Sequence, residues 1–297
     1  MTNHQLPIYI KSLRLRTLPL SVSGIIVGSG LAYNQMPAEN HSFGIGGFWL
    51  IFVLAVATTL CLQILSNLAN ELGDALKGTD ADQHGRAAYG LQSGAITQQQ
   101  IIRMIWFFAI LAVLFGTALI YSAFGSLIAV PSLVFFGLGL LALVGAVTYT
   151  LGRHSYGYIG LGDLGVFLFF GLLSTMGSFY LLTQTVTVEV LACGTAIGLP
   201  CVGVLNLNNI RDMANDRVHG KHTFASLLGP TGARIYHTLL LVVCLLLFAL
   251  FGHWWTLCII PLWVWHLWFV WTHDQRLDTQ MPILMFTTLL LALLALL

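Results

Sequence analysis

A chain of 297 residues that is 57% hydrophobic and only 8% charged cannot cover a water-exposed surface, because a soluble domain devotes roughly a quarter of its residues to Asp, Glu, Lys and Arg. Its mean hydropathy of +0.85 points to a polytopic α-helical membrane protein, and at roughly 20 apolar residues per crossing the apolar content suffices for about eight or nine spans. The net charge of +1 lacks the basic field that nucleic-acid binding requires, so no nucleic-acid partner is expected.

Apolar runs separated by short polar breaks predict nine transmembrane helices, at about 18–35, 44–68, 101–121, 126–150, 160–183, 189–208, 233–252, 254–272 and 281–297. Together they form one integral-membrane domain over residues 1–297. The first span follows a basic N-terminus, as a signal peptide would, but no convincing small-residue cleavage site follows it, so it reads as a retained helix. Its Gly24 and Gly28 have the G-x-x-x-G spacing that lets helices pack closely. Cys61, Cys193, Cys201, Cys244 and Cys258 lie in apolar runs without a C-x-x-C pair and read as packing residues. With nine crossings, all 12 Lys and Arg residues fall on one face, from Lys11, Arg14 and Arg16 before span one to Arg276 between spans eight and nine. Because such cations resist translocation, that face is cytoplasmic, with the N-terminus inside and the C-terminus outside.

The acids share that polarity, with only Glu39 and Glu189 in the opposite loops. One cluster follows span two, with Asn67, Asn70, Glu71, Asp74, Asp80 and Asp82. The other follows span six, with Asn206, Asn208, Asn209, Asp212, Asn215 and Asp216 ahead of Lys221. If the helices continue, residues four apart share a face, so Asn70 stacks over Asp74, and Asn208 over Asp212 over Asp216. Carboxylate and amide oxygens at that spacing suit a hard divalent cation, which completes its shell with substrate phosphates. Two such faces invite Mg²⁺ and a diphosphate between them, with Lys77, Lys221 and the Arg211/Arg217 pair available to phosphate oxygens. A solvated helix end accounts for one such cluster. Two with the same Asn-then-Asp spacing, on one face and at equal separation (Asn70 to Asn208, Asp74 to Asp212), favour a paired site and suggest two related helical halves.

The segments RLRTLPLSVSGIIVGSGLAY, LQILSNLANELGDALKGTDADQHG, YGYIGLGDLGVFLFFG and LNLNNIRDMANDRVHGKHT together resemble the UbiA superfamily of intramembrane aromatic prenyltransferases. Within it they look most like the branch that prenylates 1,4-dihydroxy-2-naphthoate, and the likeness covers most of the chain. It implies nine helices around a central cavity in the bacterial inner membrane, with the active site on the cytoplasmic side. It further implies Mg²⁺-dependent transfer of a polyprenyl group from polyprenyl diphosphate to the naphthoate, with decarboxylation, giving demethylmenaquinol in menaquinone biosynthesis. Carried over by position, Asn70, Asp74, Asn208, Asp212 and Asp216 would hold the metal, and Asp74, Asp212 and Asp216 would carry catalysis. The superfamily places another Asp four residues after Asp74, where this chain has Gly78; Asp80 would substitute from the loop. Lys77, Arg211 and Lys221 would bind diphosphate, and Tyr149, Tyr156 and Asp163, near the mouth of the cavity, would orient the acceptor. The long donor chain would need a lateral opening between helices toward the lipid bilayer.

Three further signals carry less. GLGDLG at 160–165 matches a dinucleotide fingerprint but lacks a preceding strand, and reads as a tight loop entering span five. His219 and His222, spaced for zinc, read as a polar loop, and the tryptophans of 254–271 as interfacial anchors and packing residues. The rival readings are a related prenyltransferase with another aromatic acceptor, and a secondary transporter, whose polar groups would lie at the bilayer midplane and not at one surface.

Overall fold

In the computed structural model, residues 6–78, 90–153, 155–273 and 277–297 are described, and among them there is no strand. The helices are α1 (Leu6–Ser12), α2 (Leu18–Tyr33), α3 (Phe48–Lys77), α4 (Gln98–Phe124), α5 (Val130–Thr148), α6 (Gly162–Val166), α7 (Ser174–Thr183), α8 (Val188–Val218), α9 (Phe224–Leu250), α10 (Ile260–Thr272) and α11 (Leu277–Leu294). A π-helical stretch, Phe167–Leu173, joins α6 to α7, and a 3₁₀ stretch, Trp254–Ile259, leads into α10. These elements make 9 spans long and apolar enough to cross a membrane. The fold is the all-helical bundle that the hydropathy predicts.

The ends of the spans differ from the hydropathy reading where function concentrates. Helices α3 and α8 run to 30 and 31 residues, about 45 Å at 1.5 Å per residue, and so outreach a hydrocarbon core of about 30 Å. Each keeps its polar motif on the helical extension. Helix α9 begins at Phe224, where Thr223 caps it by accepting from the Ser226 N–H. It then breaks at Gly229 (φ 73), because Pro230 excludes the residue before it from helical geometry and only glycine takes the left-handed alternative without strain.

Helix α8 lies at the centre, with Val190, Ala196, Ile197 and Leu207 fully buried against α9, α11 and the π-helical stretch. Without a hydrophobic drive between helices in lipid, close backbone approach and interhelical hydrogen bonds do the binding. A Cβ on Gly24 would sit 2.8 Å from the Phe170 carbonyl, and one on Gly171 would sit 2.6 Å from Gly198 Cα on α8. One on Gly28 would overlap the Thr175 carbonyl. We expect Gly28→Leu to force α2 off α7 and destabilise the bundle by about 1–3 kcal/mol, the usual cost of overpacking, seen as a lower unfolding midpoint in detergent.

Polar side chains stitch the remaining helices. His237 of α9 meets His266 of α10 at 3.0 Å, and His266 meets Gln280 of α11 at 3.0 Å. Trp263 is buried and donates to Thr287 Oγ1 at 3.0 Å, so it packs, whereas Trp254, Trp255, Trp265, Trp268 and Trp271 are exposed, as anchors would be. Among the five cysteines only Cys258 is exposed, and none is in a disulfide.

Candidate functional site

A cavity of about 900 Å³ opens between the helices, with polar and charged groups at one end and apolar side chains toward the other. Asn70 and Asp74 reach it from the last two turns of α3, and Asn208 and Asp212 from α8. The four-residue spacing therefore does what helical periodicity requires: each pair shares a face, and the two faces meet in one chamber.

Each wall is held by specific partners. The Asn70 side-chain oxygen accepts from Thr150 Oγ1 at 3.0 Å, just after α5. Asp74 Oδ1 accepts from Tyr158 Oη at 2.8 Å. On the opposite wall Arg211 forks onto Asp212, with Nε to Oδ1 at 2.8 Å and Nη2 to Oδ2 at 2.7 Å, and also reaches Asn208 Oδ1 at 2.6 Å and the Asp278 carboxylate. Asp216 is almost fully buried and pairs with Lys221 Nζ at 3.3 Å; of that pair, Lys221 lines the cavity.

Tyr158 joins the two walls; sequence reasoning places it near the mouth of the cavity, beside Tyr149 and Tyr156, but gives it no part in the site. Its ring carries Lys77 Nζ at 3.7 Å from the centroid and Lys221 Nζ at 5.5 Å, close enough for cation–π attraction. Its carbonyl accepts from the His222 N–H at 2.9 Å, and Lys77 donates onward to Ser155 Oγ. One loop residue thus contacts Asp74, both lysines and the segment after α8.

The remaining sequence-predicted residues divide. Tyr149 and Tyr156 line the cavity, edge to face at 5.2 Å. Burial pushes the Tyr156 phenol up to about 12, and burial reinforced by the Asp163 charge raises Tyr149 as well. Both therefore stay protonated donors. The glycines of GLGDLG make room for them: a Cβ on Gly162 would lie 3.1 Å from the Tyr149 hydroxyl, and one on Gly165 would lie 2.6 Å from the Tyr156 ring. Asp163 itself is buried and hydrogen-bonded to Tyr236 of α9, and is not part of the cavity lining. Lys77 also stays off the lining, on the Tyr158 ring. Arg217 turns to the Ser226 carbonyl at 3.1 Å. Glu71, in the same cluster as Asp74, faces elsewhere and holds Ser12 Oγ at 3.3 Å and the Leu91 N–H at 2.8 Å. Asp80 lies outside the described residues. Gly78, which replaces the superfamily's further Asp, closes α3 with φ 72, its N–H bonded to the Ala75 carbonyl; an Asp there would be strained.

Asn70, Asp74, Asn208 and Asp212 present carboxylate and amide oxygens to the cavity, the kind of ligand a hard cation takes. Among the described residues no three His, Cys, Asp or Glu side chains converge closely enough to hold an ion by themselves.

The profile of the UbiA prenyltransferase family matches residues 22–294. The 1,4-dihydroxy-2-naphthoate octaprenyltransferase of Escherichia coli (strain K12) is 44% identical over 247 residues, covering 82% of this chain and 77% of the relative. That of Haemophilus influenzae is 38% identical over 252 residues, covering 85% and 79%. Among solved structures, the apo UbiA homolog from Aeropyrum pernix K1 superposes with a TM-score of 0.64 at 18% identity, covering 92% of this chain and 96% of the other. A UbiA homolog from Archaeoglobus fulgidus bound to DMAPP and Mg²⁺ gives 0.58 at 14%, covering 96% and 86%. These two likenesses establish the fold.

Proposed function

The chain belongs to the UbiA prenyltransferase family, and on that premise we propose that it transfers a polyprenyl group from polyprenyl diphosphate to 1,4-dihydroxy-2-naphthoate. The ring carboxylate leaves as CO₂, and demethylmenaquinol is released into the membrane. The observation that carries this reading is the meeting of two Asn–Asp helix faces at one end of a cavity whose other end is apolar. The relatives from Escherichia coli and Haemophilus influenzae support the choice of acceptor.

Asn70, Asp74, Asn208 and Asp212 hold Mg²⁺, with Asp216 supporting them through Lys221. Bound there, the ion supplies Lewis-acid stabilisation to the departing diphosphate. Lys221 and Arg211 meet the diphosphate oxygens directly, and Lys77 adds positive charge from the Tyr158 ring; fixed charges of this kind stabilise developing negative charge without reorganisation. Arg211 must share itself between Asp212 and the ligand. The apolar part of the cavity keeps water from the allylic cation until the electron-rich ring attacks. Tyr149 and Tyr156 donate hydrogen bonds to the acceptor's oxygens and set which ring carbon faces the cation. The partition of Lys and Arg supports a site on the cytoplasmic side of the bacterial inner membrane. A transporter would place its polar groups near the midplane, whereas these sit at helix ends.

The test is purified protein in detergent with polyprenyl diphosphate, Mg²⁺ and dihydroxynaphthoate, with mass analysis of the lipid product and measurement of released CO₂. Equimolar prenylated naphthoquinol and CO₂ are expected. Transfer to hydroxybenzoate or homogentisate in preference to the naphthoate would overturn the acceptor assignment. Lys221→Ala is expected to raise the donor KM about tenfold or more, the loss of one charge-assisted hydrogen bond, with Lys221→Arg recovering most of it. An unchanged KM would remove Lys221 from the diphosphate site.

A further inference from the structure

Among the described residues three carboxylates line the chamber, those of Asp74, Asp212 and Asp278. Two of them belong to the paired motifs; Asp278 does not. It sits in the first turn of α11, where a helix N-terminus favours negative charge, and that turn is firmly seated. Leu277 and Gln280 are buried in the bundle, with Gln280 bonded to His266. Asp278 and Met281, three residues apart and so on one face, line the chamber. Both meet the same atom, Nη1 of Arg211: Asp278 through its carboxylate and Met281 through Sδ at 3.6 Å.

The Arg211 guanidinium therefore lies between two anions. Nε and Nη2 grip both oxygens of Asp212, and Nη2 also reaches Asn208 Oδ1, while Nη1 serves α11. One cation thus covers the two α8 side chains assigned above to the ion. An arginine forked on a carboxylate and a divalent cation bound to that same carboxylate repel each other at close range, so they cannot hold Asp212 together without loss. Arg211 cannot shed its charge, and its side chain is only 15% exposed. When it leaves Asp212 it needs another anion within reach, and Asp278 is already bonded to it. The guanidinium also separates Asp278 from Asp212, which makes Asp278 the arginine's partner and not a ligand of the ion.

Resting on the Mg²⁺-diphosphate reading above, we propose that Asp278 is a positioning residue, which retains Arg211 by Nη1 while the ion displaces the guanidinium from Asp212 and Asn208. Nε and Nη2 are then released to diphosphate oxygens. Arg211 acts as an internal counter-ion of the α8 wall, exchanged for Mg²⁺ as the donor binds. Removing Asp278 costs the displaced arginine more than the forked one, which still has Asp212 and Asn208. An equilibrium shifts by the difference between its two states, so the loss of Asp278 acts against the ion.

The test reads metal binding, not turnover. Mn²⁺, standing in for Mg²⁺, is titrated into detergent-solubilised protein saturated with the unreactive donor analogue geranyl thiolodiphosphate, and the free-ion EPR signal reports what remains unbound. Asp278→Asn is expected to raise the Mn²⁺ dissociation constant at least fivefold, with Asp278→Glu recovering most of it. In an Arg211→Gln background the same Asp278→Asn change is expected to shift the constant by less than twofold, because no guanidinium is left to retain. Arg211→Met, an apolar background beside Met281, repeats the comparison, with gel filtration as the fold control. A fivefold loss that persists in both arginine-free backgrounds would make Asp278 a ligand of the ion or a bare negative charge near it, and overturns the proposal. A constant unchanged by Asp278→Asn in the otherwise wild-type protein overturns it as well. Wild-type protein that binds no Mn²⁺ beside the analogue refutes the metal reading itself, a result distinguished by needing no substitution.

Discussion

Asp74→Asn, Asp212→Asn and Asp216→Asn proteins are each expected to lose Mg²⁺-dependent transfer by roughly 10²–10³-fold or more, on the scale of removing one preorganised group that stabilises transition-state charge. Each change is nearly isosteric. An Asn oxygen at 74 still accepts from Tyr158, so the tie between α3 and the 149–161 loop survives. At 212 the guanidinium fork loses one ionic partner but keeps Asn208 and Asp278. At 216 the Lys221 ammonium keeps a neutral oxygen nearby. The variants should therefore elute as folded protein in detergent and fail only in chemistry. What the changes at 74 and 212 remove is formal negative charge facing the ion, which an amide does not replace; the change at 216 removes the charge that holds the Lys221 ammonium at the cavity. Steady-state rates across a Mg²⁺ series, with gel filtration as the fold control, decide the matter. Wild-type rates in all three would end the two-walled metal reading.

The nine spans found among the described residues were legible because they follow from a local quantity, the length of the apolar runs. The paired walls were legible for the same reason: Asn70 with Asp74, and Asn208 with Asp212, obey helical periodicity once the helix is allowed to continue. Hydropathy alone ended the helices at 68 and 208, because it measures burial in lipid and not helix continuity, whereas α3 and α8 run on to Lys77 and Val218. Side-chain direction was less legible. Glu71 lies three residues before Asp74, yet it anchors Ser12 and Leu91. Nothing in a cluster of acids says which member points into the chamber and which ties down a neighbouring segment. Asp163 stays off the cavity lining for a similar reason, its partner Tyr236 lying on a helix that no local pattern connects to it.

Tyr158 shows where local reasoning stops and also supplies the second large expectation. Its contact with Asp74 joins residues 84 positions apart, through a loop without the periodicity that reveals a face. Tyr158→Phe keeps the ring beneath the lysines and removes the hydroxyl that fixes the Asp74 carboxylate. A hydrogen bond to a charged group contributes about 1.5–3 kcal/mol, so kcat is expected to fall roughly tenfold to a hundredfold, with half-maximal activity moved to higher Mg²⁺ and the donor KM little changed. Tyr158→Leu also removes the aromatic face that Lys77 and Lys221 share, about 0.5–2 kcal/mol of cation–π attraction for each close contact. The donor KM should then rise as well. That split between the two variants separates positioning of the carboxylate from positioning of the cations, which a general loss of folding would not do. Because the same ring touches the α3 wall and the segment after α8, the two motifs are expected to respond together: Tyr158→Leu combined with Lys221→Ala should raise the donor KM by less than the product of the single effects.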